Sequence, residues 1–379
     1  MNKGPALQRK SEQAVVRILA LLSLLAAMAI SDVRADTPLF ESHNILKIAI
    51  PLDFATLCRP RESDDCDYTP TVLEFVDEHG DQQSLPIEIR IRGGWRSLTK
   101  NCSAPLLFIQ FDEQTTEGTP FAGQSLLPLT THCGRGLSLT ASRDRQLPSV
   151  WERYLLREYL AHRLYNVITP VSLNARLVRI TYPNPDKPSR KIENYAFFSE
   201  HFESVAARNG FTLLERGSFD PEKLDRDAAV IVALFEFMIG NTDFSILRER
   251  NIVLLQDSTG AQFPLPYDFD MSGLVDAEYA GPAPDLPIDD VRDRYYLGYC
   301  LSATGMGLLT THYLEKQSQL VSVVKSVPGL EKKNLRSALR YLDAFFDILE
   351  SDDLRERQII EDCQPWPPGT IGQTNEVEG

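Results

Sequence analysis

The sequence predicts an α+β protein, strand-weighted in its first half and helix-weighted in its second. Three observations carry this. Residues 44–112 alternate or run apolar between turn signals, as in "ILKIAIPL", "TVLEFVDEHGDQQSLPIEIRIRG" and "PLLFIQFD". One well-marked helix follows at 149–166, "SVWERYLLREYLAHRLYN". From about 305 to 362 the pattern is helical again, ahead of a loose tail, "QPWPPGTIGQTNEVEG".

The first 35 residues stand apart. Lys3, Arg9, Lys10 and Arg17 precede a short apolar run, Ile18 to Ile30, and small residues Val33 and Ala35 follow where a signal peptidase reads. The run is too short to span a bilayer comfortably, so a cleaved export signal is expected, with a periplasmic or secreted product. That segment carries five basic and two acidic residues, so its loss takes the formal charge from −14 to −17. Such an acidic balance argues against nucleic acid or an anionic membrane as the main partner. The expected organisation is a β-rich region at 36–203, a mainly helical region at 204–363 and the tail at 364–379, in a monomer.

Six cysteines lie beyond the signal: Cys58, Cys66, Cys102, Cys133, Cys300 and Cys363. An even count in an exported chain suggests disulfides. They can pair in many ways; joining chain neighbours (58 with 66, 102 with 133, 300 with 363) is one option. No CxxC or histidine-rich spacing points to zinc. A hydrolase has little support, for there is no GxSxG, and Cys133 beside His132 reads more readily as half of a disulfide than as a nucleophile.

Strand elements then give way to Arg92-Gly93-Gly94-Trp95-Arg96, where paired glycines let backbone approach a ligand or simply make a tight turn. The helix at 149–166 starts at a capping box, Ser149 with Glu152. Glu158 shares a face with Trp151, Tyr154, Leu155 and His162. A carboxylate in such a stripe is either paired or at the edge, because burying it alone is costly. "ARLVRITYPNPDKPSRKIENYAFFSEHF" reads as two strands around a loop.

The apolar helix at 226–239 stops at Gly240 and presents Asn241 and Asp243. "NIVLL" and "AQFPLPYDFD" then read as a hairpin around "DSTG", delivering Asn251 at one side and Asp268 and Asp270 at the other. A carboxylate that can take a hydroxyl proton, plus an Asn and an Asp able to hold Mg²⁺, is the equipment of phosphoryl transfer.

These residues resemble the spore-coat protein H (CotH) type of atypical kinase and, more distantly, the HipA-type kinases. The surrounding words "EYLAHRLYN", "AFFSE", "YDFDMSGLV" and "RDRYYLGYC" resemble exported bacterial proteins related to that family, over roughly residues 85 to 310. The resemblance implies a two-lobed protein-kinase-like fold, with a β-weighted N-terminal lobe and a mainly helical C-terminal lobe. It implies an ATP-type nucleotide, Mg²⁺ or Mn²⁺ and an unknown acceptor. Position by position, Asp243 would be the catalytic acid, with Asn241 beside it. Asn251, Asp268 and Asp270 would hold metal. Glu158 would hold the phosphate-binding cation, Arg92, Gly93 and Gly94 would approach the phosphates, and Phe198 to Glu200 would flank the base. Two departures stand out. Asp243 and Asn251 are eight residues apart rather than the usual five or so, and no VAIK-like lysine is present. Lys100 is the nearest lysine, while Arg92 or Arg96 could clamp phosphate in its place. A non-catalytic, pseudokinase-like binding protein is the alternative.

Overall fold

The structure is a computed structural model that describes residues 38–60, 66–77, 79–134, 149–184 and 187–369. The expected signal (1–35) and residues 370–379 of the expected tail lie outside the described residues.

Seven strands form the first half: β1 (Leu46–Ala49), β2 (Thr69–Val76), β3 (Gln82–Ile91), β4 (Leu107–Phe111), β5 (Leu126–Thr130), β6 (Ala175–Asn184) and β7 (Lys187–Ser199). They close into a barrel in the order β1-β2-β3-β4-β5-β7-β6. Neighbours are antiparallel except at the closing seam, where β1 runs parallel to β6 with Leu46 opposite Val178. β3 shows why the sequence rolls up this way. It buries Leu85, Ile87, Ile89 and Ile91 and turns Pro86 and Glu88 outward, the two-residue period of a strand with one dry face. Ile109, Leu127, Leu129, Val178, Ile180 and Phe198 fill the same interior.

Between β5 and β6 runs α1 (Val150–Ile168). Its start is fixed by the capping box: Ser149 accepts from the Glu152 N–H, and Glu152 accepts from the Ser149 N–H. After β7 come α2 (Phe202–Arg208), β8 (Thr212–Leu213), α3 (Arg226–Ile239), β9 (Ile252–Gln256) and β10 (Gln262–Pro266). The last three strands form a small sheet in the order β10-β9-β8. Helices α4 (Ala303–Leu314), α5 (Gln317–Ser326) and α6 (Lys332–Glu350) complete the second half.

This corrects the expected two-lobed protein-kinase-like fold. The strands form a closed seven-stranded mixed barrel rather than an open N-terminal lobe, with a small sheet and helices beside it. The physical reason lies at the seam: β1 pairs with β6, so the edge that would have stayed open is consumed. Nor is the helical core separate. It takes in Ala175 and Leu177 of β6 and Phe197 of β7, from the barrel's outer face, together with residues of α1, α3, α4, α5 and α6. All described residues belong to one compact unit.

The disulfides join chain neighbours: Cys58–Cys66, Cys102–Cys133 and Cys300–Cys363. Among the described residues, no helix is long and apolar enough to cross a membrane. The segment read as a tail begins with docked residues. The Trp366 indole donates to the Cys300 carbonyl (2.8 Å) and stacks on Tyr299, and the Arg226 guanidinium lies over its ring.

Helix α3 ends where its sequence says it must. Gly240 takes φ 66°, the left-handed cap, and a Cβ there would stand 2.0 Å from the Tyr341 hydroxyl. Alanine at 240 meets both the left-handed penalty and this clash, together about 2–5 kcal/mol. Urea denaturation of Gly240→Ala should therefore show a midpoint well below wild type; an equal midpoint would mean that neither constraint operates.

Candidate functional site

Four segments meet at one end of the barrel. The first is the turn after β3. Gly94 adopts φ 91° and starts a short 3₁₀ turn, Trp95–Ser97, with open space around a notional Cβ, so glycine serves the backbone angle and not a close approach. The turn is held firmly. Ser97 donates to Pro60 and Gly94 carbonyls (both 2.8 Å), Asn101 donates to the Trp95 carbonyl (2.8 Å), and Arg59 reaches the Ser97 and Cys102 carbonyls (both 3.0 Å). The Cys102–Cys133 bridge lies just beyond.

From this turn Arg96 reaches inward. Its guanidinium hydrogen-bonds the Asp270 carboxylate and lies 3.6 Å from Asp268 and 3.8 Å from Glu158. Burial works against its charge, but Asp270, Glu158 and Asp268 outweigh that and raise its pKa. Glu158 comes from the buried face of α1, one turn before His162. Burial pushes its pKa up to about 8, with Arg96 pulling the other way. Asp268 sits at φ 63° and is 40% exposed. Its pKa rises to about 7 through desolvation and then through Asp270, opposed by Arg96. Tyr279 donates to the same Asp270 oxygen, Oδ2 (3.1 Å), and packs among Trp95, Trp151 and Tyr154.

The β9–β10 hairpin behaves as its sequence indicated. Tyr267 N–H donates to the Asn251 carbonyl (3.0 Å), so Asn251 and Asp268 leave the hairpin at the same end. The Asn251 amide turns back onto Asp243, donating to its carbonyl (2.7 Å) and its carboxylate (3.0 Å); the eight-residue spacing is therefore bridged. Burial raises the Asp243 pKa, while Arg250 and Asn251 oppose the rise. Asn241 is buried, and its side-chain oxygen accepts from the Asp243 N–H (3.0 Å).

Beside this cluster lies a cleft lined by Arg92, Leu106, Phe108, Glu158, Leu173, Phe197, Ser199, Glu200, His201, Phe202, Tyr267 and Asp268. It holds about 60 Å³, against the several hundred of a typical ligand pocket, so a nucleotide enters only if side chains move. Arg92 lies over the Phe108 ring, and no described carboxylate lies within ion-pair distance of it. Phe198 points into the barrel interior, because strand alternation gives the cleft Phe197 and Ser199 instead. Glu200 lines the cleft but is occupied, accepting from Arg208 (3.1 Å) and the Asn174 N–H (2.8 Å). Gly93 is exposed at the mouth of the turn. Lys100 is exposed and makes no ion pair with a described residue; the cation beside Glu158 is Arg96. His162 is buried against Phe197 and Phe269 and held neutral, its pKa lowered to about 3 by burial and Arg92.

Sequence reasoning missed Tyr279, for which no signal exists. It also missed Glu236, for which one does: a lone carboxylate in the apolar run 229–239. Glu236 is fully buried, and its Oε2 accepts from the Asn241 amide (2.9 Å).

Among the described residues, no group of three or more His, Cys, Asp or Glu is arranged to hold a metal ion. The donor chemistry of Asp268, Asp270 and the amide oxygen of Asn251 nonetheless suits a hard divalent cation, with Arg96 now in contact with both aspartates. Comparison of the chain with family models, curated proteins and solved structures gives no match.

Glu236 allows a test of this electrostatic picture. Burial lifts its pKa to about 8, well above the ordinary glutamate value. The folded state therefore holds a proton that the unfolded state releases near pH 4.5, and stability falls as pH rises from there toward 8. Glu236→Gln cannot titrate. Melting temperatures from pH 5 to 8 should decline more steeply for wild type than for the variant; parallel curves would show that Glu236 titrates normally.

Proposed function

We propose that this chain is an exported phosphotransferase that transfers a phosphoryl group from a nucleotide to an acceptor hydroxyl. The reading keeps the chemistry of the CotH resemblance without its fold, since function resides in the site. The observation that carries it is Arg96: one guanidinium facing Glu158, Asp268 and Asp270 together, beside Arg92, whose charge has no described partner within ion-pair reach. Two arginines at the end of an apolar cleft are suited to anionic phosphates. Leu106, Phe108, Leu173 and Phe197 offer a planar base its apolar surface.

On this reading Asp243 orients the acceptor hydroxyl and takes its proton, helped by burial that raises its pKa above the ordinary aspartate value. Asn251 holds its carboxylate, and Arg96 passes from Asp270 to the phosphates. Asp268, Asp270 and Asn251 would hold Mg²⁺ or Mn²⁺, which neutralises phosphate charge when bound. Export is supported by three disulfides, which persist in oxidising compartments. A binding protein without turnover is the second reading, favoured by the hold of Arg96 and Tyr279 on Asp270 and by the exposure of Lys100.

Thermal shift and turnover assays separate the two. ATP with Mg²⁺ or Mn²⁺ should raise the melting temperature, and Asp268→Ala should abolish the rise. Asp243→Ala should keep the rise while turnover falls by about 10² or more. A rise without turnover in wild type selects the binding protein, and no rise with any nucleotide removes the phosphotransferase and leaves a binding protein for another ligand.

A further inference from the structure

Glu236 is the one ionisable residue in the stretch 229–239 of α3, and the mechanism above does not use it. Asn241 is tied to it twice: the Asn241 main-chain N–H donates to the Glu236 carbonyl (2.8 Å) and its amide to Glu236 Oε2 (2.9 Å). The amide oxygen of Asn241 is then left to accept from the Asp243 N–H (3.0 Å). An amide can flip, and a flipped Asn241 would offer NH₂ to an N–H, two donors facing each other. A carboxyl or carboxamide oxygen at 236 prevents this by taking up the NH₂ side. Glu236 Oε1 makes no hydrogen bond, so a carboxylate placed in the helical core for its second oxygen would gain nothing. The side chain is explained by its first oxygen.

We propose that Glu236 is a positioning residue, whose carboxyl oxygen fixes the orientation of Asn241 and through it the backbone of Asp243. The proposal rests on the phosphotransferase reading for its catalytic consequence, but not for its geometry. It needs an acceptor at 236 and not a charge, so Gln should serve and Leu should not.

The geometry is tested by hydrogen exchange of the segment 240–251 in the full mature protein. Glu236→Leu and Asn241→Ala should speed exchange at Asp243 by roughly tenfold or more, while Glu236→Gln stays near wild type. In turnover, Glu236→Leu should lower kcat by about 10–100-fold with the nucleotide KM unchanged, and Glu236→Gln should restore kcat to within about threefold. Unchanged exchange in a folded Glu236→Leu protein overturns the proposal, as does a Gln variant as impaired as Leu. If wild type has no turnover, the phosphotransferase reading falls and the exchange result still decides the role of Glu236. If Glu236→Leu does not fold, Asn241→Ala and Glu236→Gln carry the exchange comparison alone.

Discussion

Arg96 is the group on which the site depends. Three carboxylates from two parts of the chain, Glu158 on α1 and Asp268 and Asp270 after β10, converge on its one guanidinium. Three like charges in a half-buried cleft cannot all be ionised without cations near them. The arginine resolves part of this and raised carboxyl pKa values resolve the rest. Removing the arginine would leave a cluster whose members repel one another. The bonds that fix the 95–102 turn, from Arg59, Ser97 and Asn101, are accordingly part of the site's electrostatics.

Local features were the legible ones. The capping box at Ser149 and Glu152, the left-handed stop at Gly240 and the hairpin that unites Asn251 with Asp268 each depend on residues close together in the chain, where turn and cap chemistry is decisive. The stripe around Glu158 left a paired or an edge carboxylate open, and the Arg96 contact decides for pairing. Barrel closure was not legible, because the β1–β6 seam joins residues some 130 positions apart and strands of either architecture carry the same two-residue period. Arg96 in place of Lys100 is a lesson of the same kind. Chain proximity to the glycine turn pointed to both, and only the direction of the 3₁₀ turn distinguishes them.

Phe198 and Glu200 show how a family carry-over fails in detail. One residue of strand phase moves Phe198 from cleft to barrel interior and puts Phe197 in its place. Glu200 keeps its place at the cleft, but Arg208 and the Asn174 N–H already occupy it. Strand phase and competing partners thus decide which of these side chains face the cleft.

The docking of Trp366 has a mechanical consequence. Its ring carries Arg226 at the first residue of α3, and the last turn is trapped by Tyr341 and by the Gly273 and Leu274 N–H groups on the Gly240 and Ile239 carbonyls (both 2.9 Å). The helix is held by contacts at both ends, which oppose sliding along its axis. Asn241 and Asp243, which follow it directly, therefore hold a fixed height relative to the barrel mouth. The loop that carries Asp243 is thus anchored through α3 to the C-terminal residues of the fold, far away in the chain.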